Sequence, residues 1–154
     1  MEQTLFVLKP DAVQRGLMGR ILGRLEDKGL KIVALKMVQV DEPLARRMYQ
    51  VHRGKDLYEP LVEFIQSGPV VAAVAGGPGA IAVVRKLMGA TFGPEAAPGT
   101  IRGDFGLSRR YNLVHGSDSV ESAAYEIPLY FAPGELVDYP LDRWARTLAP
   151  GSDY

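Results

Sequence analysis

Val70-Val71-Ala72-Ala73-Val74-Ala75 is an unbroken apolar run of strand length, closed by Ser67-Gly68-Pro69 before it and Gly76-Gly77-Pro78-Gly79 after it. Apolar residues without alternation, set between turn-forming residues, read as a strand at the centre of a sheet. Thr4 to Leu8 is a second such run, stopped by Lys9-Pro10, and reads as another buried strand. Lys31 to Val40, rich in Val, Ile and Leu, is a third. Asn112 to His115 is a brief fourth.

Helical patterns fill the spaces between them. Asp11 reads as an N-cap with Gln14 in capping-box position, and Val13, Leu17, Ile21 and Leu25 then form one apolar stripe up to Gly29. Asp41-Glu42-Pro43 opens a helix that Arg53-Gly54 breaks, and Tyr58 to Gln66 is a further short helix. Ala80 to Met88 is a helix ended by Gly89. Ala90 to about Arg110 reads as one long Gly- and Pro-rich loop, a length that in compact domains is usually functional. Asp118 with Glu121 caps a helix running to about Phe131. After Pro133 the pattern fades, with a helical turn or two expected over Leu141 to Leu148. Stripped of its extra helices the order is βαββαβ. That is the ferredoxin-like α+β plan, a four-stranded antiparallel sheet with helices expected on one face.

The 154 residues fit a single domain spanning 1–154, with 132–154 as a C-terminal extension expected to pack on a neighbouring subunit. Formal net charge is zero, so no bulk attraction to nucleic acid or anionic membrane is expected. The absence of cysteine excludes disulfides and thiol catalysis. The opening Met1 to Lys9 is too short for a leader, and no apolar run reaches membrane-spanning length, so a cytoplasmic location without membrane contact is expected.

The Gly76–Gly79 cluster fails as a phosphate loop. Ala80-Ile81 follow it where a lysine and a Ser or Thr are needed, leaving a plain tight turn. His115 is more informative, because it ends a short strand just before a helix whose first N–H groups favour an anion. A neutral imidazole is a competent nucleophile near pH 7. Ser119, Ser122 and Glu126 form a polar stripe on that helix, so Glu126 can orient the ring. Lys9, Arg85 and Arg102 are cations that together suit a polyphosphate. His52 reads as a helix-end residue with a dipole or solvent role, and Arg109-Arg110 as a solvated loop.

Asn112-Leu113-Val114-His115-Gly116-Ser117-Asp118-Ser119 closely resembles the active-site motif of nucleoside diphosphate kinases. Further blocks resemble that family in its order: Lys9-Pro10-Asp11 with Val13-Gln14-Arg15-Gly16, Ser67 to Val71, Pro98 to Phe105, and Glu135 to Tyr139. The resemblance implies a ping-pong phosphotransfer from a nucleoside triphosphate to a diphosphate through phosphorylated His115. It implies that Lys9 contacts the transferred phosphate and the sugar 3′-hydroxyl, that Arg85, Thr91 and Arg102 hold phosphates, and that Asn112 bonds the ribose. Tyr49 then lies against phosphate and lysine, and Glu126 with Ser117 orients His115. Magnesium arrives with the nucleotide, held by its phosphates, with Asp118 near its water shell. A homo-oligomer is also implied, a hexamer before a tetramer, with Leu141, Trp144 and Leu148 available for burial against a neighbour.

Two positions depart from the pattern. Leu57 stands where an aromatic usually faces the base, with Tyr58 beside it, and Phe92-Gly93-Pro94 follows Thr91 in place of an Asn-Pro-type pair. Two rival readings have specific signs against them. An RNA-binding sheet needs an aromatic-rich strand that neither Val70–Ala75 nor Asn112–His115 supplies, so nucleic acid is no obligatory partner. A non-catalytic scaffolding relative would have lost His115 or Lys9, and both are present.

Overall fold

The computed structural model describes residues 1–141. Four strands, β1 (Glu2–Leu8), β2 (Lys31–Val38), β3 (Val70–Gly77) and β4 (Val114–Gly116), form one antiparallel sheet in the order β2-β3-β1-β4. This is the ferredoxin-like arrangement, with β3 and β1 at the centre.

The helices cover both faces of the sheet, not one. Leu5, Val7, Val70, Ala72 and Val74 pack against α3 (Glu42–Met48), α4 (Tyr58–Ile65) and the end of α7 (Val120–Tyr130). Phe6, Leu8, Val71 and Ala75 face the other way, against α2 (Met18–Lys28) and α5 (Ala80–Met88). Every residue of β3 is therefore buried, and the lack of alternation in its sequence follows from having helices above and below.

The first helical pattern divides in two. Pro10–Gln14 forms α1, and Gly16, at φ +67°, turns the chain before α2 begins. No side chain caps α1; Lys9 stands at its N-cap, so the capping-box reading of Asp11 and Gln14 is wrong. Asp11 turns into the interior instead. Gly29 does close α2 in the left-handed conformation, and Asp41 does cap α3 by accepting from Leu44 N–H. At α7 the cap is Ser119, which accepts from Ser122 N–H; Asp118 instead accepts from the Ser122 hydroxyl.

Gly76 and Gly77 extend β3 opposite Gln3 and Glu2, so the turn is confined to Pro78-Gly79. The long loop also carries structure: a 3-10 turn at Gly93–Glu95 and α6 (Ile101–Phe105), capped by Thr100. Residues 132–139 lie along the chain's own β2. Val137 N–H donates to the Val33 carbonyl, and buried Lys31 pairs with Asp138 at 2.6 Å. The helical turns expected up to Leu148 lie outside the described residues.

Candidate active site

The C-terminal end of β1, β4 and the start of α7 open into a cleft of about 960 Å³, walled by residues 48–61 and by the loop after α5. Lys9, Tyr49, Leu57, Arg85, Thr91 and Arg102 line it together with Asn112, His115, Asp118 and Glu126. Residues separated by more than a hundred positions thus meet in one place.

His115 sits in β4, opposite Val7 of β1, with about a fifth of its side chain exposed. Its Nε2 is 2.9 Å from Glu126 Oε2. The other carboxylate oxygen accepts from Ser117 Oγ–H at 2.6 Å, and Ser117 Oγ in turn accepts from Leu5 N–H. Burial pushes the Glu126 carboxyl up, but the hydrogen bonds from His115 and Ser117, with the charge of His115, hold it below its ordinary value. An ionised Glu126 accepts the Nε2 proton, which leaves the Nδ1 lone pair free. Tyr49 stands edge-on to the imidazole, ring centroids 6.4 Å apart, and burial, then Glu126 and Asp11, keep its phenol protonated.

Among the described residues no salt bridge involves Lys9, Arg85 or Arg102. Lys9 is only 5% exposed and its Nζ donates to Asn112 Oδ1 at 2.8 Å. Burial, and then Arg102, lower its pKa from 10.5 to about 8. Arg102, on α6, donates to the carbonyls of Asn112, Gly89 and Val114. Those bonds fix the guanidinium and leave two of its five N–H groups for a ligand. Burial and then Arg85 lower its pKa to about 10. Arg85, in the last turn of α5, donates to Gly116 O, and Asn112 Nδ2 donates to the Thr91 carbonyl. A chain with no net charge therefore concentrates positive charge in one cleft.

The expected residues all line the cleft except Ser117, which is buried behind it on Glu126. Leu57 is at the rim, 46% exposed, whereas Tyr58 points into the core beneath Arg46. Sequence reasoning gave three lining residues no part in the site, although Arg109 and Arg110 are exposed in a loop as expected. His52 lines the cleft beside Tyr49, its buried Nδ1 making no hydrogen bond among the described residues, and Arg109 and Arg110 also line it, Arg109 lying over the Phe92 ring. Nothing local marks them, since they reach the cleft only through the folding of two loops. Asp11 and the left-handed backbone of Leu113 (φ +75°) were also missed.

For a metal, the donors are sparse. Among the described residues no group of three or more His, Asp or Glu side chains could hold an ion. Asp118 is the carboxylate in the cleft nearest the start of α7.

The model of the nucleoside diphosphate kinase family matches residues 2–136. A nucleoside diphosphate kinase from Thermomicrobium roseum is 56% identical over 146 residues, covering 94% of this chain and 98% of that one. A halophilic nucleoside diphosphate kinase from Halobacterium salinarum, solved in complex with CDP, is 50% identical and superposes with a TM-score of 0.91 over 94% of this chain and 96% of its own. A transition-state mimic of the Borrelia burgdorferi enzyme with vanadate and ADP is 40% identical, with a TM-score of 0.87, covering 94% of this chain and 95% of that one. Family, fold and cleft agree: the chain belongs to the nucleoside diphosphate kinase family, and it moves the γ-phosphoryl of a nucleoside triphosphate to a nucleoside diphosphate.

Proposed function

We propose that His115 Nδ1 is the atom that carries the phosphoryl group, and that the other cleft residues divide the nucleotide between them. The observation that carries this is the Ser117–Glu126–His115 chain, which occupies Nε2 and leaves Nδ1 as the other ring nitrogen of a residue that lines the cleft. Nδ1 attacks the γ-phosphorus, the bond to the β-γ bridging oxygen breaks, and the diphosphate leaves with the electron pair. Positive charge grows on the imidazole and meets the Glu126 carboxylate through the Nε2 proton. A second diphosphate then attacks the phosphohistidine by the reverse path.

Arg85, Arg102 and Thr91 hold the phosphates, with Arg102 pre-set by its three carbonyls. Lys9 and Asn112, already bonded to each other, receive the sugar hydroxyl and the transferred group. Tyr49 packs against His115 and the lysine end of the cleft. Leu57 offers the base an apolar face, which asks for no particular base edge. Binding that rests on phosphates and sugar admits every nucleoside di- and triphosphate, in line with the CDP and ADP complexes of the two relatives. Magnesium carried in by the nucleotide would neutralise phosphate charge, and Asp118 would be the cleft carboxylate available to it through water.

The enzyme works in the cytoplasm as a homohexamer, with 132–154 as an extension of the single domain. No helix among the described residues is long and apolar enough to cross a membrane, and Leu35 and Met37 on β2 are more than half exposed, a surface suited to a second copy. The test is label transfer. With γ-labelled ATP and magnesium the chain acquires acid-labile, alkali-stable label and passes it to added GDP or CDP. His115→Ala abolishes both steps, while Glu126→Gln slows labelling without abolishing it. A His115→Ala protein exchanging phosphate at the parent rate refutes the assignment.

A further inference from the structure

Asp11 has no place in the assignment above, yet it is buried beside the cleft. Its side chain is 8% exposed and does not cap its own helix. Oδ2 instead accepts the N–H of Leu113 at 3.1 Å, across 102 positions of sequence, and Oδ1 makes no hydrogen bond. Leu113 is fully buried and, among the described residues, is the one non-glycine with positive φ. L-residues rarely adopt that conformation, and it persists only where the surroundings enforce it. Here both polar groups of Leu113 are held: its N–H by Asp11, and its carbonyl by the N–H of Lys9 at 2.8 Å. The residue before it, Asn112, grips Lys9 Nζ, and the residue two beyond it is His115.

We propose that Asp11 is a positioning residue for phosphoryl transfer, whose carboxylate holds the Leu113 turn and so sets Lys9, Asn112 and His115 in register. It rests on the assignment of those three residues given above. A charged acceptor suits the task, because it binds an N–H more strongly than an amide or hydroxyl does. The charge has a second use. Lys9 is faced by Arg102 from α6 and by Asp11 from α1, and Tyr49 faces Asp11 from the end of α3. Burial and Arg102 drive the lysine toward its neutral form, and Asp11 opposes them; it opposes the same pressure on Arg102. Asp11 thus offsets part of the desolvation of both cations, and although burial pushes its own carboxyl up, Lys9 and the backbone N–H groups it faces oppose that rise.

The experiment separates geometry from charge. Phosphohistidine formation from γ-labelled ATP is timed by rapid quench for the parent chain, Asp11→Asn and Asp11→Ala, from about pH 6 to about pH 10. Asparagine still accepts from Leu113 N–H but carries no charge. Its labelling rate falls roughly tenfold and its alkaline limb moves to lower pH. Alanine loses both, and the rate falls on the order of 10²-fold with little change in nucleotide KM, the penalty expected for misplaced reacting groups. Two variants that label at the parent rate per folded molecule, with an unmoved alkaline limb, overturn the proposal even if both melt earlier. If alanine does not fold, the asparagine profile decides alone, and an unmoved limb overturns it. A parent chain that takes no label removes the His115 assignment itself, and this inference with it.

Discussion

Lys9 shows how one residue trades stability for chemistry. It is buried, faces Arg102, and has its pKa lowered from 10.5 to about 8. A base whose folded pKa lies below its unfolded value binds fewer protons in the folded state. The cost is fully present below about pH 8, shrinks between 8 and 10.5, and is absent above that. A shift of this size corresponds to roughly 3 kcal/mol opposing folding at pH 7. Lys9→Met removes it but strands Asn112 Oδ1, which costs about 1 kcal/mol. Stability should therefore rise at pH 7 by on the order of 1–2 kcal/mol, with the gain gone near pH 10.5, while turnover is lost. Urea midpoints at the two pH values check this; a Met variant less stable at pH 7 would mean that the lysine is a structural prop. The chemistry of Lys9 was legible in the sequence from its motif, but its burial was not. Lysine is usually exposed, and only the packing of α6 and Asn112 over it removes the water.

At the scale of elements, α6 shows why local propensity is a weak guide. The stretch around it reads as loop, since Gly99, Gly103 and Gly106 are poor helix formers. Yet Thr100 caps a helix there, accepting from Gly103 N–H, and the helix presents Arg102 to three carbonyls. Gly103 is required by a close approach. A Cβ on it would collide with the backbone carbonyl of Ala97. Gly→Ala inside a helix ordinarily stabilises by about 0.5–1 kcal/mol. Gly103→Ala should do the reverse, destabilising by about 1–3 kcal/mol and raising KM as Arg102 shifts. Gly19→Ala in α2, where a Cβ meets nothing within 4 Å, serves as the control and should stabilise. A Gly103→Ala protein as stable and active as the control would show that the loop yields freely. The sequence missed α6 because its helicity comes from tertiary contacts, among them Arg24 with Asp104 at 2.6 Å.

At the scale of the molecule, the sheet has one long side to account for. Among the described residues β2 pairs with β3 along one edge, and residues 135–139 run beside the other, with contacts at Lys31, Ile32, Val33 and Lys36. On the same strand Leu35 and Met37 are 53% and 57% exposed. An edge strand with exposed apolar residues favours pairing with another chain. Light scattering at micromolar concentration should give six chains per particle. Met37→Glu should lower that number, because it places like charges together at any contact symmetric about β2. A parent chain that is monomeric removes the oligomer proposal; one of four chains corrects only its count.

The sequence by itself determined the strands, the order βαββαβ and the residue types of the site. Apolar runs, turn residues and contiguous motifs are local signals that survive without a structure. His115, Lys9, Arg102 and Glu126 were legible in this way. The tertiary structure alone decided that both sheet faces are covered, that Asp11 holds Leu113 and not its own helix, and that His52, Arg109 and Arg110 reach the cleft. It also decided that Lys9 and Arg102 are stripped of water. The physical reason is common to all of these. Burial, and the meeting of groups a hundred residues apart, are properties of packing, and no periodicity of the chain encodes them.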